Sequence, residues 1–261
     1  MAKPDKQVIK RQIYEPFGFR IGVYDLDCHH SINQWLVERA YTLDKFSREH
    51  VDTFWEIPGA EMGVRTKYND NKESFIGAHT WIMNRCHNFP GFPEELLGKI
   101  MTCTYDYAKY VGASLKAPES CMLYIERGWS TITKPGDAIK GHNHSRHMFS
   151  SAYYPSHSPE QGDLWFDRGD PYEHFLLYEP NKGPAERSHI KVKPGQFVIF
   201  PSVAMHGTDV NKSTKDRISY SFDMDPVGLD YKLPPTKIVE DAWHDFNTTI
   251  TKIGLTEALS E

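Results

Sequence analysis

Lys193-Pro194-Gly195-Gln196-Phe197-Val198-Ile199-Phe200-Pro201 reads as a tight turn, an apolar β-strand and a proline stop, with His206 a few residues beyond. Pro-Gly marks a turn, and a short apolar run between turn signals suits a strand. From Cys121 onward the rest of the chain divides in the same way, into short β-rich runs broken by Gly, Pro and Asp. Strands are expected near 121–129, 138–142, 148–154, 163–166, 174–178, 189–192, 196–200, 204–209 and 217–223. So many short strands with turn signals between them predict a mainly β core, a small barrel or two-sheet jelly roll.

Before residue 118 the text changes character. Ser31 is placed to cap a helix running to about His50, with Ile32, Trp35, Leu36, Ala40, Leu43 and Phe46 on one stripe. A second helix is expected after Pro93, with Leu96, Leu97, Ile100, Met101, Tyr105 and Ala108 at helical spacing. An aromatic-rich irregular segment (Phe54, Trp55, Tyr68, Phe75, Trp81) separates them. Near the end, Ile238, Val239, Ala242, Trp243 and Phe246 suit one more helix over about 237–249. The expectation is one domain: a mainly helical extension over 1–117, a β core over 118–225 and a C-terminal helical extension over 226–261.

Composition narrows the function classes. The chain has 261 residues, 39% hydrophobic and 13% aromatic, which is enough for a real core. A formal net charge of -5 gives no general attraction to nucleic acid or anionic membrane. Lys182, Lys191, Lys193, Lys212 and Lys215 cluster in the C-terminal half but read as solvated strand and loop faces. No apolar run is long enough to span a bilayer, and the polar N-terminus lacks the core of a secretory signal. Cys28, Cys86, Cys103 and Cys121 form no CxxC pair and read as free thiols in a reducing compartment. A cytoplasmic protein is expected.

His142-Asn143-His144 carries the chemistry. Side chains at i and i+2 of an extended segment point the same way. His206, arriving from a distant strand behind its turn, could close one face of a metal and leave the other open. Imidazole suits iron and other first-row metals without choosing among them. His147 lies an odd number of positions from both histidines, so on a continuous strand it faces away and serves at most as an outer donor. His157, His174 and His189 show no partner pattern and read as surface or packing residues.

From Tyr124 to Asp223 the chain resembles the Fe(II)/2-oxoglutarate-dependent oxygenases, whose core is a double-stranded β-helix. The likeness is to a bacterial and phage group of putative 2OG-Fe(II) oxygenases, and it rests on His142-Asn143-His144-Ser145-Arg146-His147-Met148-Phe149-Ser150-Ser151-Ala152-Tyr153-Tyr154, which is similar to that group's H-x-H…S-G-x-Y-Y signature. Gly162-Asp163-Leu164-Trp165-Phe166 and the closing Asp216-Arg217-Ile218-Ser219 extend it. The resemblance implies Fe(II), 2-oxoglutarate and O2 as cofactor and cosubstrates, with His142 and His206 as iron ligands. It implies that Arg217 pairs with the distal carboxylate of 2-oxoglutarate, for which a guanidinium fork is suited. Ser219, on the same strand face, and Tyr153 or Tyr154 would add hydroxyls; only one of the two tyrosines can face inward.

The wider superfamily uses H-x-(D/E), whereas this chain has His144 at the carboxylate position. Either the iron has three histidines, His142, His144 and His206, or a carboxylate comes from elsewhere, with Asp163 and Asp137 the nearest. An imidazole there also fills the slot that halogenating members leave empty, which favours hydroxylation. The implied reaction hydroxylates an unactivated C–H bond and releases succinate and CO2. Two other readings stand beside it: a three-histidine cupin-type dioxygenase that uses no 2-oxoglutarate, and a jelly roll that binds a sugar or structural partner without catalysis. The spacing of Arg217 and Ser219 behind His206 favours the first. The substrate, a small molecule or peptide, is not legible, and helices flanking such a core are compatible with a homodimer.

Overall fold

The computed structural model describes residues 10–28, 30–49, 75–76, 86–89, 91–112, 122–144, 147–168 and 187–227. Ten strands and two α-helices occur within them: β1 (Arg11–Tyr14), β2 (Ile21–Asp25), α1 (His30–Glu49), β3 (Phe75–Ile76), α2 (Glu94–Tyr110), β4 (Met122–Thr133), β5 (Phe149–Tyr154), β6 (Leu164–Asp167), β7 (Arg187–Ile190), β8 (Gln196–Pro201), β9 (His206–Thr208) and β10 (Arg217–Val227). They form a seven-stranded sheet in the order β1-β2-β8-β5-β10-β4-β3 and a three-stranded sheet in the order β7-β6-β9. Every pairing is antiparallel. This is a jelly-roll core with helices on one side.

The large sheet has two unlike faces, and β10 shows why. Its residues alternate Arg217, Ser219, Ser221, Asp223 against Ile218, Tyr220, Phe222, Met224, and period-2 geometry sends the two sets to opposite sides. The apolar set joins Leu36, Ala40 and Leu43 of α1, Leu96, Ile100 and Tyr107 of α2 and Tyr153 and Phe197 of the sheet in one buried cluster. A second buried cluster holds Ala152, Tyr154, Val198 and Phe200 of the large sheet with Leu164, Phe166 and Ile190 of the small one. Most of the polar set of β10 faces the space between the sheets, where the cleft lies.

Most of the expected core strands appear with shifted ends, and the two helices fall at His30–Glu49 and Glu94–Tyr110. Ser31 lies inside the first turn of α1 instead of capping it, and on α2 it is Tyr107 that is buried while Tyr105 is 40% exposed. The 138–142 strand is not regular: only His142 forms a bridge, because the amide of Ile139 donates to the hydroxyl of Thr208 rather than to a strand carbonyl. β1 and β2, which lie in the stretch expected to be helical, extend the large sheet through β8. The 174–178 strand, the 237–249 helix and Cys121 lie outside the described residues. Cys28, Cys86 and Cys103 are free thiols.

Candidate metal centre

His142 and His206 are joined by a two-way backbone bridge, each amide donating to the other's carbonyl at 3.0 and 2.9 Å. Two glycines make room for this approach. Trp165 packs across Gly141 and Gly207, and a Cβ on Gly207 would overlap the Trp165 ring and lie 2.7 Å from the Ile139 carbonyl oxygen. The amide of His144 donates to the Ser202 carbonyl at 2.8 Å, which anchors the third histidine to the loop before β9. The ring centroids stand 4.4 Å (His142–His206), 5.0 Å (His142–His144) and 5.2 Å (His144–His206) apart. Their ligand nitrogens all lie within 4.8 Å of one another, the only such cluster among the described residues.

Each imidazole is held in one tautomer. The Nδ1 of His142 donates to the Lys140 carbonyl and that of His206 to the Ala204 carbonyl, both at 2.9 Å. The Nδ1 of His144 donates to Asp223 Oδ1 at 2.7 Å. A carbonyl or carboxylate oxygen can only accept, so each Nδ1 carries a proton and Nε2 is the ring nitrogen left to face a metal. Burial, reinforced by the two neighbouring imidazoles, pushes the pKa of His206 well below its ordinary value. Three imidazoles whose Nδ1 atoms face carbonyl or carboxylate oxygens leave their Nε2 atoms to converge, a donor set that fits iron and by donor type fits zinc, copper or nickel as well.

The other end of the cleft is built around Arg217. Its side chain is 1% exposed, and burial lowers its pKa to about 10, so it stays cationic at neutral pH. The guanidinium donates to the carbonyls of Gln161 (2.7 Å) and Asp209 (3.2 Å) and to the hydroxyls of Thr133 (3.3 Å) and Thr208. All four partners are neutral, and no carboxylate of the described residues lies within ion-pairing distance. Thr208 Oγ1 also accepts from the amide of Ile139 at 2.9 Å, so its own proton is free to donate into the cleft. The space between the histidines and Arg217 measures about 380 Å³ and is lined also by Ser219, Tyr154, Thr131, Trp129 and Arg127.

Among the expected site residues, His142, His144, His206, Arg217 and Ser219 line this one cleft. Of the two tyrosines, Tyr154 lines it; burial pushes its phenol up to about 12, partly offset by Arg217. Tyr153 faces the helices and donates to Asn33 of α1 at 2.6 Å, so it leaves the candidate set. Asp137 and Asp163 are not part of the ligand cluster. The alternation that turned His147 away also fails: its amide donates to the His144 carbonyl at 2.9 Å, three residues back. His147 lines the cleft and bonds Asp225 through Nδ1 at 2.5 Å. Thr208 and Asp223 went unnoticed in the sequence. Only their even spacing, two after His206 and six after Arg217, could have marked them.

Residues 127–223 match the family described as "Putative 2OG-Fe(II) oxygenase". No curated protein matches the chain. Among solved structures, similarity extends to HygX of Streptomyces hygroscopicus with nickel, 2-oxoglutarate and hygromycin B bound, at 17% identity and a TM-score of 0.32, over 40% of this chain. The chain spans only 57% of HygX in that structure. AviO1 of Streptomyces viridochromogenes aligns over 82% of this chain and 91% of its own, at 11% identity and a TM-score of 0.42. The α-ketoglutarate-dependent epimerase SnoN of nogalamycin biosynthesis aligns over 76% and 82%, at 10% identity and a TM-score of 0.44.

Proposed function

We propose, on the premise that residues 127–223 form the core of a 2OG-Fe(II) oxygenase, that this chain is a non-haem Fe(II)- and 2-oxoglutarate-dependent dioxygenase. It hydroxylates an unactivated C–H bond and releases succinate and CO2. One observation carries the reading. A buried guanidinium with no ion-pair partner among the described residues and a cluster of three imidazoles line the same cleft. A buried cation without a directly paired carboxylate is costly, and a bound anion would relieve it. 2-Oxoglutarate has the matching form, a keto acid that chelates at one end and a free carboxylate at the other.

His142, His144 and His206 would hold the metal through Nε2, and Fe(II) with 2-oxoglutarate and O2 supplies the oxidative chemistry. The protein's own part is placement. Arg217 supplies the positive charge for the distal carboxylate. Four of its five donors are already committed, so the bidentate pair expected from the sequence is not preformed. Hydroxyls do more of the work than expected: Thr208 has its proton free, and Ser219 and Tyr154 line the same wall. The apolar side chains Phe200, Leu164 and Ile139 bound the cleft and limit water.

The test is anaerobic addition of Fe(II), then 2-oxoglutarate. The expected result is a weak visible charge-transfer band that appears only with both present. Its absence with iron demonstrably bound would favour the cupin-type reading without 2-oxoglutarate. The substitution Arg217→Ala should raise the 2-oxoglutarate concentration for half-maximal band about 30-fold or more while iron still binds. Loss of iron binding in that variant would sink the role given to Arg217.

A further inference from the structure

The three histidines differ in what stands behind them. His142 and His206 rest their Nδ1–H groups on neutral backbone carbonyls two residues earlier in the chain. His144, at the position where the wider superfamily has a carboxylate, rests its own on a carboxylate, Asp223. Asp223 is 0% exposed. Its Oδ1 also accepts from Ser150 Oγ at 2.7 Å, and Ser150 is in turn hydrogen-bonded to Ser202 at 2.8 Å. Its Oδ2 has no hydrogen-bond partner, with Arg127 Nε 3.7 Å and His147 Nε2 3.6 Å away.

This placement is built by the sheet. Asp223 pairs in register with Ser150 on β5 and with Arg127 on β4, and the β10–β4 register shifts just after it. A bulge of this kind re-aims the side chains beside it. The carboxylate meets His144 on its Nδ1 side, so the imidazole stands between Asp223 and the converging Nε2 atoms. Asp223 is therefore a poor direct ligand and a good outer partner.

We propose that Asp223, acting through His144, supplies the negative charge that this metal site lacks for want of a ligating carboxylate. It is a positioning residue that fixes the His144 tautomer and makes that imidazole a stronger donor than the other two. Carboxylate–histidine–metal relays work in this way, and losing the outer partner costs 10–100-fold in metal affinity. The inference rests on His142, His144 and His206 being the ligands, as proposed above.

Co(II) titrated alone into the full-length protein tests it. The isosteric Asp223→Asn keeps an acceptor oxygen and removes the charge. It should weaken Co(II) binding about 10-fold or more and shift the d–d bands, with the thermal midpoint of the metal-free protein little changed. Equal affinity and an unchanged spectrum would overturn the proposal, as would loss of affinity with no spectral shift. A measurement on the unaltered chain guards against a variant that fails to fold. In the Zn(II)-loaded, 15N-histidine-labelled protein, the Nδ1 proton of His144 should lie furthest downfield of the three ligand Nδ1 protons. A His144 signal no further downfield than those of His142 and His206 would overturn it. If the unaltered chain binds neither metal, the ligand assignment fails and this inference falls with it; binding that ignores Asp223 sinks the inference alone.

Discussion

The two faces of β10 are made from one strand and could hardly differ more. Toward the helices, Ile218, Tyr220, Phe222 and Met224 are buried against α1 and α2, and Tyr220 donates to the Leu36 carbonyl at 2.7 Å. Toward the small sheet, Arg217, Ser219, Ser221 and Asp223 put a cation, two hydroxyls and an anion at or behind one cleft. The first face gains stability by removing apolar area from water. The second buries charge and gives some of that stability back. Such a division is what a working site on a rigid scaffold requires.

The comparison breaks first at the metal. His206→Ala should abolish Fe(II) binding at micromolar concentrations, read by anaerobic titration, because it removes a ligand outright. Retained affinity would mean that the polar face is not a metal site. On the apolar face, Phe222→Ala should cost about 3–5 kcal/mol of stability in urea unfolding while the residual folded protein binds metal normally. A metal-binding defect larger than the stability loss accounts for would show that the two faces are not separable.

A finer test uses neighbours on β5 that point opposite ways. Tyr154→Phe should weaken 2-oxoglutarate binding about tenfold and leave stability near that of the parent. Tyr153→Phe should do the reverse, losing about 1 kcal/mol with its bond to Asn33 and leaving 2-oxoglutarate affinity alone. Equal effects from both would refute the assignment of Tyr154 to the cleft.

The smallest effect is on pH. Burial, with a further contribution from Arg217, lowers His157 from 6.5 to about 4, and burial lowers His206 as well. The unfolded chain takes up these protons near pH 6.5 and the folded chain only at lower pH. Stability is therefore full above 6.5 and falls as pH drops toward 4. The thermal midpoint of the metal-free protein should decline through that window, and His157→Phe should flatten part of the decline. A midpoint constant from pH 7 to pH 5 would contradict both shifts.

Where local rules decide, the sequence was readable. Turn pairs and apolar runs located most of the core strands. The even spacing of His142 and His144, the turn before His206 and the even spacing of Arg217 and Ser219 named five side chains that share one cleft. Where the backbone is irregular, the same rules failed. His147 lines the cleft although strand alternation turns it away, its amide bonded to the His144 carbonyl three residues back.

Amino-acid order alone thus determined a mainly β core, a small barrel or jelly roll, and the chemical types at its centre, since strand period and turn chemistry depend only on near neighbours. Pairing decided the rest. Which tyrosine turns inward, that β1 and β2 extend the large sheet, that Thr208 braces Arg217, and that a carboxylate stands behind His144 all depend on register between strands far apart in the chain. Asp223 meets His144 across 79 positions. No local pattern encodes that distance, and only the closing of the sheets brings the two side chains together.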